Sequence, residues 1–149
     1  MVLLILLTIQ SENPLEKMSF LIGHWHTESR YEDGTLATGD LKYEWVLGGS
    51  WIKFTFVGQH PKRPMWEAHG MIRATDEGTF ESYAFFSSDD PLVMHGHLLD
   101  DGRIRFTYLE DQAGIDYIPS ATGAKQENWR LEDGEHMVVM TTTYQSAQP

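Results

Sequence analysis

The chain has 149 residues, 22 of them acidic and 11 basic, for a formal net charge of −11 with histidine neutral. Such a surface repels phosphate backbones and anionic lipid head groups, so neither nucleic acid nor a membrane is an expected partner. The absence of cysteine excludes disulfides and thiolate sites, and the length suits a single domain, 1–149, around one core.

Met1 to Thr8 is an apolar run, too short to span a bilayer. It lacks the basic start and the small-residue cleavage site of a signal peptide. Residues 1–12 read as an extra strand or packing arm. A homodimer contact is the sharper alternative, because an exposed Leu/Ile run invites association. The chain is expected in the cytoplasm. Asn13-Pro14 predicts a short helix over 13–22, with an N-cap and then proline at the first helical position. Strand-like segments follow near 24–32, 35–47, 50–57, 65–74, 79–87, 92–99, 103–109, 125–132 and 135–144. No useful helical period interrupts them. The expectation is an all-β, antiparallel, up-and-down barrel of about nine or ten strands over 23–144, closed at one end by the short helix.

Asp33-Gly34, Gly48-Gly49, Glu77-Gly78, Asp101-Gly102 and Asp133-Gly134 are hairpin signals between these runs. In a nine-strand meander the last four fall at one end. The longer links 58–64, 87–91 and 110–124 then share the other end, which becomes the mouth. The 110–124 segment, with Gly114, Pro119 and Gly123, reads as a lid.

Phe20-Leu-Ile-Gly-His-Trp25 places a Gly-x-Trp at the start of the first strand. Leu47-Gly48-Gly49 and a Gly-rich strand at 70–76 follow it. On these residues the chain resembles the calycin superfamily, and within it the small bacterial lipocalin-like barrels of unknown function, over about residues 15–144. The resemblance implies a lipocalin-like barrel whose closed end is plugged by Trp25. Nitrobindin-like members bind haem through a late histidine. The last strand here, Met137 to Tyr144, has none, and His136 is expected at the tight end, so no cofactor is expected.

Register about a two-residue turn says which side chains share a face. About Gly48-Gly49, Trp45 pairs with Ile52, Tyr43 with Phe54 and Leu41 with Phe56, an apolar and therefore inward face. Glu44 and Lys53 pair on the outside. About Asp101-Gly102, His97 pairs with Phe106 and His95 with Tyr108, so both histidines are expected inside, opposite Arg103 and Arg105. About Asp133-Gly134, Trp129, Glu127, Val138, Met140, Thr142 and Tyr144 share the inner face. The Glu77-Gly78 hairpin leaves two readings. One buries Trp66, Ala68, Ile72, Tyr83 and Phe85. The other buries Glu67 and His69 with Ser82, Ala84 and Phe86.

These facings give the candidate residues their roles. His95, His97 and Glu127, with Glu67 and His69 on the second reading, are the candidate catalytic groups. A histidine titrates near neutral pH, and burial raises a carboxyl's pKa. Tyr43, Trp45, Phe54, Phe56, Phe106, Tyr108, Trp129, Met140 and Tyr144 are the candidate ligand-binding residues. His95-Gly96-His97 lacks the partner residues of a metal site, and no metal is expected. Two functions stand: a pocket for a small, largely apolar or aromatic molecule, or a cofactor-free lyase, isomerase or cyclase acting in that pocket. A solid barrel that interacts through its N-terminal arm is a third.

Overall fold

A computed structural model describes residues 12–76 and 78–147. The apolar run at 1–8, with the arm and dimer contact read into it, lies outside the described residues. A 3-10 helix, Pro14–Leu21, comes first. Ten strands follow: β1 Gly23–Tyr31, β2 Leu36–Val46, β3 Trp51–His60, β4 Arg63–Asp76, β5 Thr79–Phe86, β6 Leu92–Leu98, β7 Ile104–Tyr108, β8 Ala113–Ser120, β9 Gly123–Glu132 and β10 Glu135–Ser146. Each pairs antiparallel with its sequence neighbours, and β1 pairs antiparallel with β10, so the barrel is closed. An even strand number is what lets an up-and-down sheet close on itself antiparallel.

The tenth strand is β8, in the segment read as a lid. Its Ile115 and Tyr117 face in and Asp116 faces out, a plain strand alternation. Gly114 hid it, because glycine weakens a strand signal. Here that glycine lies beneath the Trp129 ring on the outer wall. Counting β8 moves the Asp133-Gly134 turn, and His136 with it, to the end opposite the helix. The connections at that end are also shorter than expected, since β4 already begins at Arg63. There is no lid.

The helix closes the other end. Asn13 accepts a hydrogen bond from the Leu15 N–H (3.1 Å) and donates one to the Gly49 carbonyl (2.9 Å), which ties the helix start to the β2–β3 turn. Leu15, Met18 and Leu21 are fully buried against Ile52, Ile72, Phe80 and Ile104. Each such side chain contributes about 1.5–3 kcal/mol of apolar burial. The Trp25 indole donates to the Leu21 carbonyl (2.8 Å) and its ring lies against Gly23 and Gly123. Trp25 thus belongs to the plug at the helix end.

Three hairpins decide the facing of the candidate residues. The β2–β3 register is as predicted, with Trp45↔Ile52, Tyr43↔Phe54, Leu41↔Phe56 and Glu44↔Lys53. The β6–β7 hairpin has a three-residue loop instead. The Leu99 N–H donates to the Arg103 carbonyl, Gly102 takes φ +86°, and Leu98 pairs with Ile104. A one-residue change in loop length flips every side chain. Gly96 therefore faces in beneath the Phe106 ring, and His95 and His97 face out. In β4–β5 a bulge between Ala74 and Asp76 pairs Ile72 with Ser82. Trp66, Ala68, Gly70 and Ile72 then share the inside with Phe80, Ser82, Ala84 and Phe86. Each of the two readings was right for one strand, and Glu67 and His69 lie outside. In β9–β10, Trp129 pairs with Val138 as expected, but both face out. A bulge after Val138 then pairs Met140 with Asn128 and Thr142 with Gln126. Met140, Thr142 and Tyr144 are inside, while Glu127 points out beside Lys125.

Candidate functional site: the barrel cavity

Side chains fill the helix end of the barrel and leave the other half open. The open half holds a cavity of about 240 Å³. Its floor is formed by Thr27, Tyr43, Tyr117 and Gln126, on four strands. Its walls carry Phe54, Phe56, Trp66, Phe86, Tyr108, Leu92, Met94 and Ile115. Ser29, Tyr31, Gln59, Asn128, Met140 and Thr142 complete it toward the rim. Among the described residues that line it, none is acidic, basic or a histidine.

The aromatic walls lie flat because glycines face the lumen beside them. The Phe56 ring covers Gly39 and Gly58, which are paired across β2 and β3. The Phe54 ring covers Gly70, where a Cβ would also meet the Tyr83 carbonyl oxygen at 2.5 Å. Interiors are packed too tightly for such overlaps, so these rings and a side chain at these positions exclude each other. Trp66 packs on Phe56 (centroids 4.8 Å apart) and Phe86 (6.2 Å), giving a continuous aromatic face near the mouth.

The floor is polar and uncharged. Tyr43 donates to the Tyr117 hydroxyl over a long 3.5 Å, and Tyr144 donates to the Gln126 amide oxygen at 2.7 Å. The Gln126 amide donates on to Asn128 (2.7 Å), and Ser29 bonds Thr142 (2.7 Å). Burial pushes the Tyr43, Tyr117 and Tyr144 hydroxyls well above the usual tyrosine range, and each is pushed further by a neighbouring tyrosine. They stay protonated and act as donors. Thr27, 4% exposed, has a buried hydroxyl oxygen without a hydrogen-bond partner among the described residues.

The candidate catalytic residues are not at this cavity. The His95 side chain is 73% exposed on the outer wall, 4.0 Å from Glu81. His97 is exposed on the same face. Glu67 and His69 sit 3.8 Å apart in solvent, and Glu127 pairs with Lys125 outside. The nine candidate binding residues divide. Tyr43, Phe54, Phe56, Tyr108 and Met140 line the cavity. Trp45, Phe106 and Tyr144 pack against or within the core. Trp129 is on the outer wall, stacked on His136 with ring centroids 4.1 Å apart. Its indole donates to Asp116 (2.9 Å), a carboxylate also held by Arg105 (2.7 Å twice) and Arg103 (3.2 Å). An unbroken register about Asp133-Gly134 argued for an inward position. A buried carboxylate and two arginines give it an outward one.

Sequence reasoning missed Thr27, Ser29, Tyr117, Gln126 and Asn128. Thr27 and Ser29 share a face with Trp25 by simple alternation and were within reach. Tyr117 lay in the strand read as a loop, and Gln126 and Asn128 alternate with Trp129, which the unbroken register placed inside.

Among the described residues no cluster of metal-binding side chains is present, and no helix is long and apolar enough to cross a membrane. No family model matches the chain, and no curated protein matches it. In its fold the chain is similar to Rv2717c from M. tuberculosis. That crystal structure aligns with a TM-score of 0.66 at 12% identity, over 91% of this chain and 98% of the other. A redesigned β-barrel aligns at 17% identity and a TM-score of 0.45, over 87% and 94%. At such identities the likeness to Rv2717c shows a shared fold.

Proposed function

We propose that the barrel binds a small, uncharged, largely aromatic molecule in its interior, as a calycin-like carrier or sensor. The observation that carries this reading is the lining: ring faces and neutral polar tips around about 240 Å³, with no charge. A 150 Å³ apolar cavity takes a benzene. On that scale the cavity suits a bicyclic molecule of about ten non-hydrogen atoms. A carboxylate or ammonium in the lumen would lose its hydration with no counter-charge to replace it. The acid–base alternative has lost its groups to the outer wall, and the pocket reading stands without it. A cytoplasmic location goes with this proposal.

Native mass spectrometry of the purified protein, followed by a thermal-shift series of neutral and ionised bicyclic compounds, tests it. A retained small molecule, or stabilisation by neutral compounds only, is the expected result. If no neutral bicyclic raised the melting temperature and no molecule was retained, the reading would be wrong.

A further inference from the structure

The cavity floor holds an arrangement that the binding reading does not by itself require. Two tyrosine hydroxyls, Tyr43 on β2 and Tyr117 on β8, converge from opposite sides of the lumen to 3.5 Å. That exceeds the usual O–H···O range of about 2.5–3.0 Å, so the contact is a poor hydrogen bond. The Tyr117 hydroxyl receives it and donates to no acceptor among the described residues. Beside them Thr27, on β1, lines the same cavity, and its buried hydroxyl has no hydrogen-bond partner among the described residues. An unsatisfied buried donor costs the group its desolvation penalty, and a native interior rarely keeps one without cause. The neighbouring polar groups are already engaged: Tyr144 with Gln126, Gln126 with Asn128, and Ser29 with Thr142.

Resting on the binding proposal above, we infer that Tyr43 and Tyr117, with Thr27 beside them, form a subsite for one carbonyl oxygen of the ligand. A carbonyl carries two lone pairs and no proton, so it can accept from both phenols at once and leaves no donor of its own unpaired. Placed between the two hydroxyls, it accepts from both. The tyrosines remain neutral donors, so the site suits a ketone, lactone or quinone-like oxygen better than an anion. The carbonyl then points toward the helix end. The ring system behind it lies against Phe54, Phe56 and Trp66 on one side of the lumen. The ligand class is therefore a neutral bicyclic aromatic ketone or lactone, bound carbonyl first.

The matched pair 1-tetralone and tetralin tests this, since they share a bicyclic skeleton and differ in the carbonyl. Tetralone is expected to bind at least about tenfold more tightly than tetralin, as two net hydrogen bonds allow. Its C=O stretch in the wild-type complex, read by infrared difference spectroscopy, should move to lower frequency than in hydrocarbon solvent. Tyr43→Phe and Tyr117→Phe should each return that band part of the way and reduce the tetralone preference. Tetralin affinity should be unchanged, which a merely structural role for the hydroxyls would not produce. Equal affinities for the two compounds, or an unshifted carbonyl band, overturn the subsite and leave the pocket reading intact. Binding of neither compound overturns the subsite, and the pocket reading falls with it if no other neutral bicyclic stabilises the protein and no molecule is retained.

Discussion

Asp116 is 2% exposed on the outer wall, yet it is ionised, and removing it is a test of what holds that wall together. Burial pushes its carboxyl up. The hydrogen bonds from Arg105 and Trp129 and the charge of Arg105 outweigh this and hold it below its ordinary 3.8. Asp116→Ala removes four hydrogen bonds at once and strips the acceptor from the Trp129 indole. Breaking a buried ion pair costs about 3–5 kcal/mol. The Arg105 and Arg103 side chains are 21% and 32% exposed, so water recovers part of their loss. The lower end, about 3 kcal/mol, is the expected penalty. For a chain of this size that is a fall in Tm of about 6–12 °C. Urea denaturation followed by tryptophan fluorescence and circular dichroism measures it. The pH dependence is a second reading of the same group. A depressed carboxyl stabilises fully above its unfolded-state value and stops doing so as pH falls through its folded value. The gap between wild type and variant should be flat from about pH 8 to pH 5 and narrow below about pH 4. A penalty below about 1 kcal/mol at pH 7, or a gap unchanged down to the acid limit of folding, would refute the account.

Other perturbations separate wall from lumen. Gly70→Ala meets the Phe54 ring and the Tyr83 backbone and should cost about 2–3 kcal/mol. Gly39→Ala meets mainly the movable edge of Phe56, so it should cost about 1 kcal/mol in denaturant titrations while weakening ligand binding by pushing that ring inward. Gly102→Ala forces a side chain onto φ +86° and should lose about 1–2 kcal/mol; full tolerance would sink the three-residue loop that turns the histidines outward. His95→Ala and His97→Ala, being exposed, should each shift stability by less than about 0.5 kcal/mol and leave binding of a neutral ligand unchanged in calorimetry.

Much of this barrel could be read before its coordinates, and the failures have physical causes. The Gly48-Gly49 hairpin gave the correct register, so Tyr43, Phe54 and Phe56 were placed inside from the sequence alone. Asn13-Pro14 marked the helix start, and the Gly-x-Trp marked the plug. Loop length was the weak link. Asp-Gly favours a two-residue turn, but at Asp101-Gly102 a preceding aspartate makes a three-residue loop equally compatible, and only pairing along the whole strand decides between them. The bulges at Thr75 and Val139 leave no local signature in a chain rich in β-branched residues. The polar floor was therefore invisible: Gln126 and Asn128 face inward by alternation with Trp129, and the β10 bulge brings Met140 and Thr142 onto that same face. Glu127 is the counterpart error: it sits between two inward amides on a strand whose face was assigned from an unbroken register about Asp133-Gly134.

The rings laid over inward glycines separate two properties that barrels usually vary together. Strand number and tilt set the width of a barrel's backbone cylinder. Here the usable bore depends instead on where the wall is a single backbone thick, as at Gly39, Gly58 and Gly70, so that a ring can recess into it. Filling one recess narrows the bore locally, and trimming Phe54 or Phe56 widens it, with no strand pairing changed. The size of the guest can drift by point substitution while the architecture stays constant.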